Sequence, residues 1–249
     1  MIYVGSKNRL SKDLSPIIQK YIDDNNIQVY YEPFCGGLNM IDKIKCPIRI
    51  ANDIHKELIH MWNALRGWQP PEHVSEEEYI NVKNKKEKYP SFYVGYVGFH
   101  STFSAKYFGG YARSVKSDGV TPRDRSNEAY RNTMKQLPNV LDVQCVSWDY
   151  TKVDMHNAVI YCDPPYQGTT KYSTNEFDYD EFWSWCRKMS EYNIVLISEY
   201  NAPNDFECIW SKDSLANFDC NRGNNSDKKK RTEKLFRYKK QSKLDVQYA

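Results

Sequence analysis

The stretch from residue 158 to residue 166 carries the residue types best suited to chemistry in this chain of 249 residues. Residues 158–160 form a short apolar run, and such runs are typical of buried strands. Asp163, Pro164, Pro165 and Tyr166 follow, and the prolines end the strand because they have no N–H to donate. The sequence therefore predicts a carboxylate, a carbonyl and an aromatic ring at a strand's carboxyl end, where open α/β sheets bind ligands.

This tetrapeptide suits the recognition of a planar amine. Asp163 and Pro164 each precede a proline and are held extended. The Asp163 carboxylate and the Pro164 carbonyl can then accept hydrogen bonds from one –NH2 group, while Tyr166 lies flat against the ring that carries it. Positioning and transition-state stabilisation would favour attack of that amine on an electrophilic methyl group. The alternative is an ordinary Asp-Pro-Pro turn at the end of a strand.

A second candidate site lies nearer the N-terminus. Gly36 and Gly37 follow a predicted strand, and we expect them to open a helix where backbone can approach a ligand closely. Asp53 ends the next strand, where a carboxylate holds a ribose diol in dinucleotide-type folds. Leu38 replaces a further glycine of the phosphate-binding series, which favours a nucleoside-bearing cofactor without pyrophosphate. A plain turn with a helix-capping Asp53 is the alternative.

Strand and helix patterns alternate along the chain. This alternation predicts an α/β fold, with a mostly parallel sheet that carries helices on both faces. The predicted strands are residues 29–31, 48–51, 140–146, 159–162, 194–198 and 206–210. The predicted helices are residues 10–22, 38–44, 54–65, 76–88 and 179–192. The pattern changes after Gly67, so we expect a smaller helical and loop-rich domain at 67–145, inserted between 1–66 and 146–249.

Composition narrows the class of protein. The seven cysteines are odd in number, scattered and never spaced C-x-x-C, which predicts reduced thiols in a cytoplasmic setting. The five histidines show no zinc spacing, so we expect no metal. No apolar run approaches a membrane span, and the N-terminus lacks a signal-peptide pattern. With no large apolar surface run, a monomer is the default expectation.

Charge is unevenly distributed. Residues 221–243 contain ten Lys or Arg and two acidic residues, a net charge of +8, whereas the whole chain carries +3. A second basic run lies between residues 83 and 131. Such asymmetry indicates an acidic polymer as partner. A solvated lysine-rich face is the alternative, but together with a base-sized amine site the pattern favours nucleic acid.

The order of these motifs resembles the Dam-type adenine-N6 DNA methyltransferases over essentially the whole chain. The aromatic insert, from residue 98 to residue 113, and the C-terminal stretches 221–224 and 231–236 resemble bacteriophage members of that family. The matching N-terminal and central motifs are Tyr3-Val4-Gly5-Ser6-Lys7, Glu32-Pro33-Phe34-Cys35-Gly36-Gly37, Asn52-Asp53 and Asp163-Pro164-Pro165-Tyr166. The departure from the family pattern is Leu38 in the glycine motif.

The resemblance implies a Rossmann-like methyltransferase sheet and a set of roles. The enzyme would transfer a methyl group from S-adenosylmethionine to N6 of an adenine that is flipped out of double-stranded DNA. The cofactor product would be S-adenosylhomocysteine. The implied catalytic residues are Asp163, Pro164, Pro165 and Tyr166. The implied cofactor-binding residues are Tyr3, Lys7, Glu32, Phe34, Cys35, Gly36, Gly37, Asp53 and Asp163. The insert 67–145 would recognise the target, and the expected DNA-binding residues are Lys106, Arg113, Arg123, Arg125, Asn221, Arg222, Lys228, Lys229 and Arg231.

Several alternatives stay open at the level of sequence. The acceptor could be cytosine N4, or adenine in RNA, because the tetrapeptide suits any exocyclic amine. Asp163 argues against a protein glutamine methyltransferase, because the motif at this position in those enzymes resembles Asn-Pro-Pro-Tyr, with Asn in place of Asp. A non-catalytic DNA-binding protein of the same fold is disfavoured by the intact Asp53, Asp163 and Tyr166. We expect a bacterial or phage-infected cytoplasm, with genome protection, restriction-modification and regulation all open as roles.

Overall fold

The computed structural model describes residues 1–103, 106–115, 118–167, 177–215 and 230–239. The helices are α1 (Ser11–Asp24), α2 (Lys56–Ala64), α3 (Glu76–Asn84), α4 (Ser91–His100), α5 (Arg125–Gln136) and α6 (Tyr179–Met189). The strands are β1 (Val29–Glu32), β2 (Ile48–Asn52), β3 (Gln144–Val146), β4 (Ala158–Cys162), β5 (Ile194–Glu199), β6 (Phe206–Leu215) and β7 (Lys230–Tyr238). Within these ranges, no helix combines the length and apolar character needed to span a bilayer.

The strands form one seven-stranded sheet in the order β3-β2-β1-β4-β5-β7-β6. The β1–β2, β1–β4, β2–β3 and β4–β5 pairs are parallel, whereas β7 runs antiparallel to both β5 and β6. Tyr31 lies opposite Ile50 on one side and Ile160 on the other, which fixes the central register. The predicted Rossmann-like α/β sheet is confirmed, and β7 makes it a mixed sheet.

Alternating side chains along the strands bury both faces of the sheet, because successive residues of a strand point to opposite sides. On one face, α1 packs through residues such as Leu14 and Ile18 in the same cluster as Val159 and Leu196. On the other face, α6 packs in a second cluster, which includes Ile160, Val195, Phe182 and Cys186. Helices on both faces, as the sequence predicts, therefore follow from strands that are apolar on both sides.

Local chemistry sets where several helices begin. The side chains of Ser75, Asp124 and Asp178 accept hydrogen bonds from first-turn N–H groups of α3, α5 and α6, respectively. Each such cap satisfies a donor that has no partner within the helix. Gly95 lies against the Glu57 carbonyl, so a side chain there would collide with α2, and the glycine lets α4 cross α2 closely.

The segment 67–145 contributes α3, α4, α5 and the first residues of β3. Its residues Val74, Tyr96 and Val97 belong to the same hydrophobic cluster as Val159 of the central strand β4. The division of the chain at 67 and 145 stays a prediction.

Three local parts of the fold differ from the prediction. Residues 38–44, predicted as a helix opened by Gly36 and Gly37, form turns followed by a short 3-10 helix at Ile41–Lys43. Gly36 and Leu38 have φ values of 46° and 56°, and this left-handed backbone is incompatible with a continuous α-helix. Strand β7 was not predicted, because its lysines and arginines read as part of a basic run. At the other end, predicted strand 140–146 is reduced to β3.

Candidate active site

The two candidate acidic residues lie at the same edge of the sheet. Asp53 directly follows β2, and Asp163 directly follows β4; both strands are parallel to β1, which lies between them. The carboxyl ends of these strands therefore meet at one edge. The chain order of the strands reverses between β1 and β4, and open α/β sheets bind ligands at that reversal. The turn with Gly36 and Gly37, which follows β1, lies between the two carboxylates.

Asp163 is held by a lysine from the N-terminal segment. The Lys7 Nζ atom lies 2.9 Å from Asp163 Oδ1, and the side chains are only 8% and 19% exposed. Burial raises the pKa of the Asp163 carboxyl, and attraction to the Lys7 ammonium offsets this only in part. Burial lowers the pKa of Lys7, but Asp163 and Glu233 outweigh it, so the net pKa shift is upward. Lys7 is therefore a buried cation at neutral pH.

Tyr166 forms the floor of the same site. Its ring is buried, and the Lys7 Nζ atom lies 4.2 Å from the ring centroid. The Tyr166 hydroxyl donates a hydrogen bond of 3.0 Å to Glu233 Oε2. This ring is thus fixed at both its face and its edge, as a stacking platform for a planar group requires.

The carbonyls of Pro164 and Pro165 differ in their hydrogen bonding. The Pro165 carbonyl accepts a hydrogen bond of 3.0 Å from the Tyr179 hydroxyl of α6. Among the described residues, the Pro164 carbonyl accepts none and is available to a ligand. Asp163 and Tyr166 therefore lie around one point, next to the Lys7 ammonium, and the convergence of the Pro164 carbonyl on that point stays a prediction.

Asp53 is placed by backbone donors. Its Oδ2 accepts from the Gly36 N–H at 3.1 Å, and its Oδ1 accepts from the His55 N–H at 2.9 Å. Burial raises the pKa of Asp53, and the two backbone hydrogen bonds oppose that rise. In the described part of the chain, no Lys or Arg side chain forms an ion pair with Asp53. Each oxygen keeps acceptor capacity for a diol.

Tyr3 explains why two glycines are needed in the turn. A Cβ at Gly36 would lie 2.6 Å from Tyr3 Cε1, and one at Gly37 would lie 2.8 Å from Tyr3 Cβ. Tyr3 therefore covers the glycine turn directly. This places both ends of the N-terminal motif at the site, with Tyr3 on the turn and Lys7 on Asp163.

The remaining residues of the first-strand motif are mostly structural in their contacts. Glu32 is buried and accepts a hydrogen bond of 2.8 Å from the Tyr30 hydroxyl; burial raises its pKa to about 8. Phe34 packs against Tyr150, at 5.0 Å between ring centroids, within an aromatic cluster. Burial raises the pKa of the Cys35 thiol, so this cysteine is a poor nucleophile.

Two apolar side chains that sequence reasoning did not single out flank Asp53. Ile54 is 74% exposed and Trp148 is 48% exposed, although both adjoin the buried end of the sheet. Asn52 ties the Trp148 loop in place, since its side chain accepts from the Trp148 N–H at 2.7 Å. Exposed apolar residues beside a carboxylate with free acceptor capacity are suited to a flat ring that carries hydroxyl groups. Exposure is visible only in the folded chain.

Glu233 was also missed. It lies within the basic stretch that predicted a nucleic-acid surface, yet its side chain is 14% exposed and reaches Tyr166 and Lys7. No local pattern signals this, because the contacts join residues that are far apart in the sequence.

The predicted DNA-binding residues differ from one another in exposure and in their partners. Lys106 is exposed, whereas Arg113 forms an ion pair with Glu76, and Arg123 and Arg125 share Glu128. Arg231 lies in β7. Asn221, Arg222, Lys228 and Lys229 lie outside the described residues.

The aromatic residues of the insert are divided between core and surface. Phe108 is buried, and Tyr107 and Tyr111 pack against the main hydrophobic cluster. Phe103 is 60% exposed. Most of this aromatic motif therefore stabilises the fold, and Phe103 is available to a partner.

Within the described ranges, no group of three or more His, Cys, Asp or Glu side chains is placed to hold a metal ion. The sheet has a Rossmann-like fold, with a largely buried carboxylate where the strand order reverses. A family model described as D12 class N6 adenine-specific DNA methyltransferase matches residues 3–219. The chain belongs to this family, which confirms the resemblance seen in the sequence and assigns adenine N6 as the acceptor.

Solved structures overlap with the chain more loosely. The rRNA methyltransferase aviRa from Streptomyces viridochromogenes shares 10% identity at a TM-score of 0.41, over 93% of this chain and 85% of that chain. A putative RNA methyltransferase from Pyrococcus horikoshii shares 9% identity at a TM-score of 0.38, over 91% and 82%. A putative methyltransferase complexed with SAH shares 12% identity at 0.33, over 90% and 52%. These overlaps are too loose to bear on the substrate, and no curated protein matches the chain in sequence.

Proposed function

We propose that the protein methylates N6 of an adenine that has been flipped out of double-stranded DNA, with S-adenosylmethionine as the methyl donor. The observation that carries this proposal is the arrangement after β4, where the Asp163 carboxylate and the Tyr166 ring both lie against one point, occupied by the Lys7 ammonium, and Pro164 stands between them in the chain. Family membership supplies the adenine and the DNA. The duplex, the flipping step and the residue roles are the proposal.

Asp163 and Pro164 would each accept one hydrogen bond from the adenine amino group, while Tyr166 stacks against the purine. Two acceptors increase electron density on the nitrogen and orient its lone pair. N6 would then attack the methyl carbon as the carbon–sulfur bond breaks with its electron pair on sulfur, and the surplus proton on N6 would pass to the Asp163 carboxylate and from there to water. Because the thiol of Cys35 is buried and Cys162 points into the core, the step is a direct transfer with no covalent enzyme intermediate.

The cofactor site is supported by residues on the first two parallel strands. Asp53 would hold the ribose hydroxyls with its remaining acceptor capacity, and Ile54 and Trp148 would enclose the adenine ring of the cofactor. The glycine turn under Tyr3 lets backbone approach from the third side. The cofactor supplies the methyl group, and this chain's residues bind it and align it with the amine.

Burial supports the flipping step. Pro164 and the Tyr166 ring are buried and the Asp163 side chain is 19% exposed, so the acceptors and the stacking ring lie below the surface. The edge of a base stacked within a duplex cannot reach them. An enzyme with such a recessed amine site must take the base out of the stack.

The proposed DNA contact region is the loop segment made of residues 101–103, 106–115 and 118–124. It carries Lys106, Arg113 and Arg123 together with exposed apolar side chains, including Phe103 and Val120. Two short antiparallel bridges, Thr102 with Tyr111 and Val115 with Pro122, hold distant parts of this segment side by side. Basic side chains interleaved with apolar ones suit a phosphate backbone and base edges.

The test compares three substrates of one sequence: duplex DNA, single-stranded DNA and duplex RNA, each with labelled S-adenosylmethionine. We expect label to enter duplex DNA preferentially. Equal labelling of single-stranded DNA would remove the duplex and the flipping step from the proposal. Preferential labelling of RNA would contradict the DNA assignment.

A further inference from the structure

Glu233 occupies the active-site edge because β7 runs against its neighbours. In the β5–β7 pair, Glu199 lies opposite Lys234, so the last residue of β5 faces the beginning of β7. Glu233 is one residue further towards that edge. An antiparallel strand thus brings its early residues to the place where the parallel strands end.

Side-chain alternation directs Glu233 to the same face as Asp163. Leu235 of β7 and Tyr161 of β4 both belong to the hydrophobic cluster on the α1 side of the sheet. Residues two positions apart in a strand share a face. Glu233 is two residues before Leu235, and Asp163 is two residues after Tyr161, so both carboxylates face the Lys7 side.

The Glu233 side chain contacts two residues that border the proposed amine site, Tyr166 and Lys7. Its Oε2 atom accepts from the Tyr166 hydroxyl at 3.0 Å and lies 3.8 Å from Lys7 Nζ. Lys7 lies closer to Asp163, at 2.9 Å. Among the described residues, these two carboxylates are the only ion-pair partners of Lys7. One buried cation is therefore shared unequally between two anions.

The position of Lys7 conflicts with the entry of a base. Its ammonium lies beside Asp163 Oδ1 and 4.2 Å from the centroid of the Tyr166 ring. An amino group that donates to Asp163, on a purine stacked over Tyr166, needs this same space. Lys7 must withdraw from Asp163 for the proposed transfer to occur, and a buried ammonium needs another anion to receive it.

We propose that Glu233 is a positioning residue that receives the Lys7 ammonium when the target adenine reaches Asp163. A shift of roughly 1 Å would shorten the Lys7–Glu233 ion pair from its present 3.8 Å to the length of a charged hydrogen bond. Throughout this exchange the Glu233–Tyr166 hydrogen bond keeps the stacking ring in place. The inference rests on the proposed function, since it requires a base to enter the site.

The test uses Glu233→Gln, which keeps an acceptor for Tyr166 but removes the negative charge that would hold Lys7. We expect kcat for methyl transfer to fall about 10- to 100-fold, the scale of a misplaced reacting group. The KM for S-adenosylmethionine should stay within about twofold, because Glu233 does not contact the ribose-binding region. Duplex DNA with 2-aminopurine at the target position should show a reduced fluorescence rise, since Lys7 then blocks entry of the base.

A double-mutant cycle separates this role from a merely structural one. In a Lys7→Met background, Glu233→Gln should change kcat by less than about twofold, because there is no ammonium left to receive. Glu207→Gln, which removes an exposed carboxylate from neighbouring β6, is the matched control and should leave kcat and fluorescence unchanged. Circular dichroism and thermal melting establish that each variant is folded.

The outcomes show separately whether the role of Glu233 fails or whether the proposed function itself fails. Wild-type protein that methylates DNA, together with Glu233→Gln protein of unchanged kcat and fluorescence, would overturn the role of Glu233 alone. Equal losses from Glu233→Gln with and without Lys7 would also overturn it. Wild-type protein without transfer to DNA would remove the proposed function, and the inference with it.

Discussion

The carboxyl edge of the sheet and the loop segment 101–124 use charge in opposite ways. At the edge, Asp163 and Lys7 are buried, and their partners are fixed by strand order. In the loop segment, Arg113 is 75% exposed and pairs with Glu76, which is 35% exposed. Buried pairs are costly to break, whereas exposed pairs contribute about 0–1 kcal/mol. We therefore expect the chemistry to take place where the charges are fixed, and DNA contact where the charges can change partners.

The largest expected effect is at Asp163. Asp163→Ala removes an acceptor for the target amine, and we expect methyl transfer to fall about 10³-fold, the scale for losing one preorganised group. S-adenosylmethionine affinity, measured by titration calorimetry, should stay within about tenfold, or 1.4 kcal/mol. Asp163→Asn, which keeps the size and one acceptor, controls for loss of the Lys7 ion pair. Near-wild-type turnover in the alanine variant would contradict the assignment.

The buried edge should also dominate the dependence of stability on pH. Because Glu32 has a pKa near 8 in the folded protein, against an ordinary value of 4.5, the folded state holds a proton that the unfolded state releases. Its contribution to stability is full below pH 4.5 and is lost as pH rises through 8. Glu32→Gln keeps the acceptor for Tyr30 and should reduce this loss, by on the order of 4 kcal/mol.

Denaturant unfolding of wild type and Glu32→Gln at a series of pH values measures this effect. Glu128→Gln in α5 is the contrasting variant, because its ion pairs with arginine lower the pKa of that exposed-region carboxyl. Its stability difference should instead appear as pH falls. Parallel curves for wild type and Glu32→Gln would show that Glu32 is not a buried acid.

A smaller effect is expected at Asp53. Asp53→Ala removes the proposed ribose acceptor, so the Kd for S-adenosylmethionine should rise about 10- to 100-fold, the scale of hydrogen bonds to a charged group. At saturating cofactor, kcat should change by less than about threefold, because Asp53 does not face the amine. Asp154→Ala, at a position where the carboxylate is 86% exposed, is the control. Unchanged cofactor affinity would move the ribose site elsewhere.

The smallest effect is expected in the loop segment. Arg113→Ala should weaken duplex DNA binding and reduce the slope of log K against log salt by about 1, as for one phosphate contact. Stability should change by less than about 1 kcal/mol. Lys20→Ala removes a similarly exposed ion-pair cation from α1 and serves as the control. An unaltered salt slope for Arg113→Ala would exclude Arg113 from the DNA interface.

Local sequence patterns were sufficient for the parts of the fold built from short apolar runs. Strands β1, β2, β4 and β5 and the acidic residues that follow two of them could be predicted, because each depends on a few neighbouring residues. Strand β7 could not, since its inner residues Leu235 and Phe236 are surrounded by lysines and arginines. The turn after β1 was predicted as a helix, because the left-handed conformation of Leu38 has no sequence signal.

The site shows the same limit. Asp163 and Tyr166 could be predicted from a tetrapeptide in which prolines restrict the backbone. The Lys7–Asp163 pair could not be derived from the residues alone, because it joins segments brought together by the sheet. Glu233 was hidden by the basic residues around it. The intramolecular partners of Arg113 and Arg123 were equally invisible, as surface pairing depends on the fold.

The most direct measurement is methyl transfer from labelled S-adenosylmethionine to unmethylated duplex DNA, followed by resolution of the product nucleosides by mass. Wild type and Asp163→Ala would be assayed in parallel. The account predicts N6-methyladenine from wild type and essentially none from the variant. N4-methylcytosine as the product, or equal amounts of N6-methyladenine from both proteins, would contradict the central claim. That claim is that Asp163, Pro164 and Tyr166 form the site at which an adenine is methylated.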